Sequence, residues 1–238
     1  RFLYLNEYTT KEQWDSWGKK MGLEKPLVVQ YGVWASKAVR GDFGISLRDQ
    51  KPAISVVVQR IPATLQLGAA AFTFAVLISV PLGVVSAVKK GSAWDYVARI
   101  FALFGQAMPA FWLGLVLIIL FSVQFRLLPT SQRGGPEHFI LPVITLGWAS
   151  AAGLLRLVRS SILEVLDSEY IKLARAKGVN ETFVIWKHAL RNALIPPLTF
   201  SGIIFAGFIT GSVVTETVFG WPGVGRLGVD AVNNNDFP

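Results

Sequence analysis

Three glycines near the end of the chain, Gly223, Gly225 and Gly228, have the G-x-G-x-x-G spacing that can cradle a dinucleotide pyrophosphate. That chemistry needs a strand before the glycines and a helix after them, within a βαβ unit. Here the triplet follows Trp221-Pro222 and a long apolar run, so a glycine-rich turn is expected instead. His138 and His188 flank different segments and read as interfacial residues, not metal ligands. With no cysteine, the chain has no disulfide, thiol nucleophile or cysteine metal site. It contains no G-x-x-x-x-G-K-[ST], H-E-x-x-H or G-x-S-x-G pattern, so a nucleotide P-loop, a zincin helix and a serine elbow are excluded. Asn180-Glu181-Thr182 spells a glycosylation sequon, but it falls where the cytoplasmic face is expected. No catalytic residue, cofactor or metal site is expected.

The residues that invite a function lie between 156 and 196. Arg156 and Arg159 come first, then Tyr170, Ala174, Arg175, Ala176, Lys177 and Gly178, then His188, Arg191, Asn192 and Pro196. The pattern is helix, glycine break, helix. A helix over 170–177 would place Gly178 at its C′ position, and Asn180 would cap a second helix running to about Arg191. Such a long basic segment is more than a plain connector between spans requires. Its small Ala174 and Ala176 would let another protein's backbone come close; an amphipathic helix lying on lipid fits equally well.

The elements that carry this segment are membrane spans. The chain is 52% hydrophobic with only 16% charged residues, and the charges are segregated. Charge-free runs cover 61–88, 100–125, 138–155 and 192–215. A spanning helix needs roughly 20 apolar residues. Four spans follow, the third marginal and borrowing from its flanks. Prolines within these runs are tolerated better in membranes than in water, and Met108-Pro109 is expected to kink the second span. No ionisable residue lies inside any run, Glu216 standing at an end, so the energy for an uphill process would come from elsewhere. Gln106, and the Gly207/Gly211 pair with G-x-x-x-G spacing, mark a translocation path or a helix interface.

Lysine and arginine are concentrated in 89–99 and 156–191, which places those segments in the cytoplasm. The net charge of +8 therefore points to lipid headgroups and membrane orientation, not nucleic acid. Residues 1–60, with Trp14, Trp17, Tyr31 and Trp34, would lie outside, and Gly41-Asp42-Phe43-Gly44 reads as a turn. Nothing here would carry residues 1–60 across the membrane, so a span upstream and one downstream are expected. The expected organisation is an extracytoplasmic region 1–60, a transmembrane core 61–217 with a cytoplasmic coupling loop 156–195, and an extracytoplasmic segment 218–238.

These residues resemble one family. Tyr170, 174–178, 188–194 and Pro196 match the Y-x-x-x-A-R-A-K-G and H-A-L-R-N-A-L-x-P pattern of the coupling loop in bacterial ATP-binding-cassette importer permeases of the dipeptide/oligopeptide/nickel group. The general loop of such permeases reads E-A-A, three residues, Gly, nine residues, I-x-L-P. Lys172, Leu173 and Ala174 stand at its first three positions, and His188, Leu190 and Arg191 at its last, so its Glu and Pro are absent. Gly41-Asp42-Phe43-Gly44, Pro62-Ala63-Thr64, Pro109-Ala110-Phe111-Trp112 and Glu216-Thr217-Val218-Phe219-Gly220-Trp221-Pro222 resemble the same group, in the order of its B-type subunit. The resemblance implies an all-α polytopic membrane protein with the type I importer permease fold, six spans in the whole chain and four here. It implies alternating access driven by two ATPase subunits that push on 174–178 and Tyr170. The other implied partners are a second, C-type permease subunit, an extracytoplasmic substrate-binding protein and membrane lipid, in a bacterial or archaeal cytoplasmic membrane. The cargo would be a di- or oligopeptide or a related solute such as a nickel chelate. The alternatives are an autonomous channel and a membrane-embedded enzyme.

Overall fold

The computed structural model describes residues 24–46 and 48–236. Trp14 and Trp17 lie outside that set. The described residues contain ten helices and no strand beyond an isolated Ile45–Pro52 bridge. They form two compact units, one of Ile61–Arg226 and the other of the described residues up to Arg60 with those from Leu227 onward.

In the smaller unit, α1 (Leu27–Val39) buries none of its residues, and Tyr31 and Trp34 on it lie with ring centroids 5.9 Å apart. The expected turn at 41–44 is present. Gly41 and Gly44 take φ of 81° and 87°, and Asp42 Oδ1 accepts from the Gly44 N–H at 3.0 Å.

The larger unit holds most of the apolar length. Helix α2 (Ala53–Val88) carries Pro62 and Pro81 inside it. Its buried stripe recurs every fourth residue through Ala63, Leu67, Ala71, Ala75, Ser79, Gly83 and Ala87. Small residues let helices approach closely where lipid supplies no hydrophobic drive for association. A Cβ on Gly83 would stand 2.7 Å from Val158 Cγ1, and one on Gly147 would stand 2.8 Å from the Ala71 carbonyl oxygen. Those two positions bring α2 against α5 (Glu137–Leu166).

Three expectations about the spans are corrected. The loop 89–99 shrinks to a turn, because α3 (Ala93–Ala107) opens at Ser92 and takes Arg99 into a helix. The second span is two helices, not one kinked helix: α3 and α4 (Ala110–Gln124) meet at 107°. Met108, preceding Pro109, takes the extended φ −84°, ψ 126° that a following proline favours. The third span is the 30-residue α5, which absorbs Arg156 and Arg159 into the helix. Beyond it come α6 (Glu169–Ala176), α7 (Glu181–Ala193) and α8 (Ile195–Gly211), with α7 and α8 bent by 53°. By length and apolarity α2 and α5 can each cross a membrane, and each bent pair supplies one further span if it crosses as a unit. The glycine-rich turn is corrected too. After α9 (Val213–Val218) the chain turns at Gly220, φ 59°, but α10 (Val224–Asn233) makes Gly225 and Gly228 helical.

Candidate functional site

The basic segment folds as its residues dictate. Ser168 precedes α6 in extended backbone, and Glu169 gives the first turn a carboxylate that favours the positive end of the helix. At the other end Gly178 takes φ 76°. The Val179 N–H donates to the Ala174 carbonyl at 3.2 Å, and the Gly178 N–H donates to the Arg175 carbonyl at 2.9 Å. This pair of bonds is a Schellman stop, satisfying carbonyls that the helix end leaves open. Asn180 then caps α7, its side-chain oxygen accepting from the Thr182 N–H at 2.9 Å.

Side chains brace the bracket. Ile171, Val184 and Ala189 form a buried cluster on which Val165, Leu166, Ala174 and Val179 pack. Arg175 holds Glu181 with two hydrogen bonds of 2.7 and 3.2 Å, and that carboxylate raises the Arg175 pKa further above its ordinary value. Asn192 Nδ2 donates to the Tyr170 hydroxyl at 2.8 Å, tying α6 to α7. Of the six predicted residues, Tyr170, Arg175, Ala176, Lys177 and Gly178 are exposed. Ala174 is half-buried and turned toward the cluster, so bulk there would press on α6's own support rather than on a partner.

The path candidates are not brought to one point. Gln106 is exposed on the last turn of α3. A Cβ on Gly153 of α5 would meet Gln106 Nε2 at 3.5 Å and Phe200 of α8 at 3.8 Å, so α3 and α8 approach α5 at the same place. Gly207 lies further along α8, exposed and facing open space, and Gly211 ends that helix.

Two buried polar clusters escaped the sequence reading. Asp95 in α3 accepts from Ser86 Oγ at 2.7 Å, from the Gly91 N–H at 3.0 Å, and from Arg159 Nε and Nη2 at 2.8 and 3.2 Å. Glu216 in α9 accepts from Thr64 Oγ1 at 2.8 Å, Ser212 Oγ at 2.6 Å and the Arg226 N–H at 2.9 Å. The Val224 N–H donates to Thr64 Oγ1, and Trp221 Nε1 donates to the Ala63 carbonyl, each at 2.9 Å. A Cβ on Gly223 would fall onto the Glu216 carboxylate, and one on Gly225 would come within 3.0 Å of its Oε2. The glycines that mimic a nucleotide motif thus make room for an internal carboxylate. The available signal was Glu216 at the end of an apolar run with two glycines a short way downstream.

This fold is that of an importer permease. It overlays the crystal structure titled "Inward facing conformations of the MetNI methionine ABC transporter: CY5 native crystal form" with a TM-score of 0.62 at 19% identity, covering 75% of this chain and 81% of that one. It overlays the "Crystal structure of an amino acid ABC transporter with histidines" with a TM-score of 0.57 at 20% identity, covering 77% and 81%. Residues 79–238 match the family described as "Binding-protein-dependent transport system inner membrane component". The chain is 42% identical over 220 residues to the glutathione transport system permease protein GsiC of Escherichia coli strain K12, covering 92% of this chain and 72% of that one. It is 41% identical over the same length to the GsiC protein of Shigella boydii serotype 4 strain Sb227, again covering 92% and 72%. The chain belongs to the binding-protein-dependent inner membrane component family, and is a multi-pass permease subunit of an ATP-binding-cassette importer in the cytoplasmic membrane.

Proposed function

We propose that this chain forms one half of a peptide translocation path and is moved through α6 by a cytoplasmic ATPase subunit. The observation that carries this reading is the bracket itself. A short helix is stopped by Gly178, braced from behind by Ile171, Val184 and Ala189, and left exposed at Leu173, Ala176 and Lys177. A helix held rigidly on one side and bare on the other suits a mechanical contact. The full assembly pairs the chain with a C-type permease subunit, two ATPase subunits and an extracytoplasmic binding protein. ATP is hydrolysed on the ATPase subunits, and this chain contributes no catalytic group. Residues 89–92 and the α6–α7 bracket face the cytoplasm. Gln106, Gly207 and Gly211 face the path or the partner permease. The cargo is a short peptide, glutathione being the first candidate because the GsiC relatives are named for its transport.

The test is reconstitution of the full-length chain with its partner subunits and binding protein in proteoliposomes. ATP-dependent accumulation of labelled glutathione or of di- and tripeptides is expected. Uptake by this chain alone without ATP would favour a channel. Vigorous binding-protein-stimulated hydrolysis without uptake of any peptide would reject the cargo. The absence of native cysteine makes the topology testable, with Lys90→Cys expected to resist an impermeant reagent added outside intact cells.

A further inference from the structure

The bracket sits on the last turn of α5, where Val165 and Leu166 pack against Ile171, Val184 and Ala189. Arg159 lies about two turns upstream on the same uninterrupted helix, on the order of 10 Å along its axis. From there it reaches Asp95 with two hydrogen bonds, and its Nε also donates to Ser86 Oγ at 3.0 Å. Asp95 takes the Gly91 N–H as well, so α2, the α2–α3 turn, α3 and α5 all meet at one carboxylate. The Asp95 side chain is 1% exposed and that of Arg159 20%, so solvent screens this pair far less than the exposed Arg175–Glu181 pair. Beyond the ion pair α3 runs along α5 on small residues. Ala98 and Ala102 pack with Ala152 and Leu155, and a Cβ on Gly105 would stand 2.5 Å from Ala152 Cβ. Gln106 and the 107° bend follow at once. Tightly packed elements shift as units because they cannot deform continuously.

We propose that the Asp95–Arg159–Ser86 cluster is the rigid link that delivers movement of α6 to α3 and Gln106, which makes Asp95 and Arg159 positioning residues for transport. The proposal rests on α6 being the ATPase-docking helix. Arg159 fixes α3 to the same helix that carries the bracket, so a displacement of the bracket cannot leave α3 behind. Without the link, the remaining contacts between α3 and α5 are apolar, through Ala98, Ala102, Ala152 and Leu155 and the Phe101–Trp148 ring pair at 4.4 Å, and none of them fixes register as a two-bond ion pair does.

The experiment uses the full-length transporter with its partner subunits, carrying Gln106→Cys. Maleimide labelling at position 106 is followed with and without ATP and vanadate. The parent is expected to change its labelling rate by about threefold on nucleotide trapping, the scale of intersite coupling. Asp95→Asn with Arg159→Gln removes both charges together and leaves no unpaired buried charge. This variant is expected to assemble and hydrolyse ATP, to lose the nucleotide-driven change at position 106, and to lower uptake about tenfold. A labelling change that survives in the double variant would overturn the link. Failure of the double variant to assemble would overturn it as well, by assigning the cluster to folding alone. If the parent shows no nucleotide response at position 106 although it takes up peptide, the docking role of α6 falls, and the link falls with it.

Discussion

Asp95 and Glu216 are both buried carboxylates, 1% and 0% exposed, yet they are accommodated in opposite ways. Asp95 faces a full opposite charge, Arg159, supplied by a distant helix, with Arg99 Nε a further 3.5 Å neighbour. Glu216 has two hydroxyls and the Arg226 N–H, at the positive end of α10. Where a side chain supplies the compensation, the constraint falls on that side chain. Where neutral hydroxyls and a backbone N–H supply it, the constraint falls on whatever lets those donors and the carboxylate come close, here Gly223 and Gly225. Tolerance to substitution should divide accordingly.

The largest effect is expected at Gly223. A methyl group there occupies the place of the Glu216 carboxylate, which must leave its three donors. Overpacking together with donors left unsatisfied in a buried site costs on the order of 3–5 kcal/mol. Gly223→Ala should therefore lower the detergent-phase Tm sharply and reduce the amount inserted in membranes. Gly228→Ala is the internal control, since nothing lies within 4 Å of its Cβ position. It should be neutral or stabilising by up to about 1 kcal/mol in a helix. Equal tolerance at the two positions would dissolve the Glu216 half of the comparison.

The next effect separates the two carboxylates directly. Asp95→Asn leaves the Arg159 guanidinium without its charge partner, and breaking a buried pair costs about 3 kcal/mol, the low end because Arg159 keeps some exposure to water. Glu216→Gln keeps the shape and one acceptor, and sets an amide N–H₂ against one donor, at about 1–2 kcal/mol. Adding Arg159→Gln to Asp95→Asn should recover part of the loss, whereas the donors to Glu216 described above are two hydroxyls and a backbone N–H, which a matching charge removal does not address. Chemical-denaturation midpoints of the parent and the three variants decide the matter. A Glu216→Gln loss exceeding that of Asp95→Asn would reverse the assignment.

This contrast also explains which parts of the molecule the sequence disclosed. The bracket at 169–193 was legible because its determinants are local. A helix-forming run, Gly178 at a φ only glycine takes easily and Asn180 at a cap act within a few residues of one another. The two long apolar helices, α2 and α5, were legible for a similar reason, since each rests on one continuous apolar run. The 107° break at Met108-Pro109 was not, since a proline in a membrane run signals some bend but tertiary packing sets its size. The helical extension that takes in Arg156 and Arg159 was missed because charge was read as the end of a span. Arg159 is tolerated there by Asp95, 64 positions away in the chain. Gly223 and Gly225 were visible as glycines, but their reason lies in a carboxylate folded back from the preceding helix.

At the bracket the structural stakes are smaller. Gly178 has no neighbour within 4 Å of its Cβ position, so the cost of a side chain is backbone strain alone. Gly178→Val is expected to cost about 1–2 kcal/mol, the scale of left-handed strain for a residue with a Cβ. It should shift Tm by far less than Gly223→Ala and still impair coupling, because the Schellman stop sets the direction in which α7 leaves. A Tm loss as large as that of Gly223→Ala would show that space, and not φ, governs this glycine.

The smallest structural effect, and the sharpest functional one, is expected at Ala176. The residue is exposed on α6, outside the Ile171–Val184–Ala189 cluster. A surface substitution of this kind changes stability by no more than about 0.5 kcal/mol. Ala176→Trp should therefore leave insertion, assembly and Tm unchanged. If α6 seats in a groove on an ATPase subunit, the indole holds the two surfaces apart, and substrate-stimulated ATP hydrolysis and uptake fall together. If α6 instead rests on lipid, Trp suits the interface and transport stays near normal. ATPase stimulation in proteoliposomes separates the cases, and normal coupling with Ala176→Trp would remove α6 as the docking element. That outcome would leave the Asp95 and Glu216 clusters as local stabilisers of the bundle, with no mechanical input reaching α5 from the bracket.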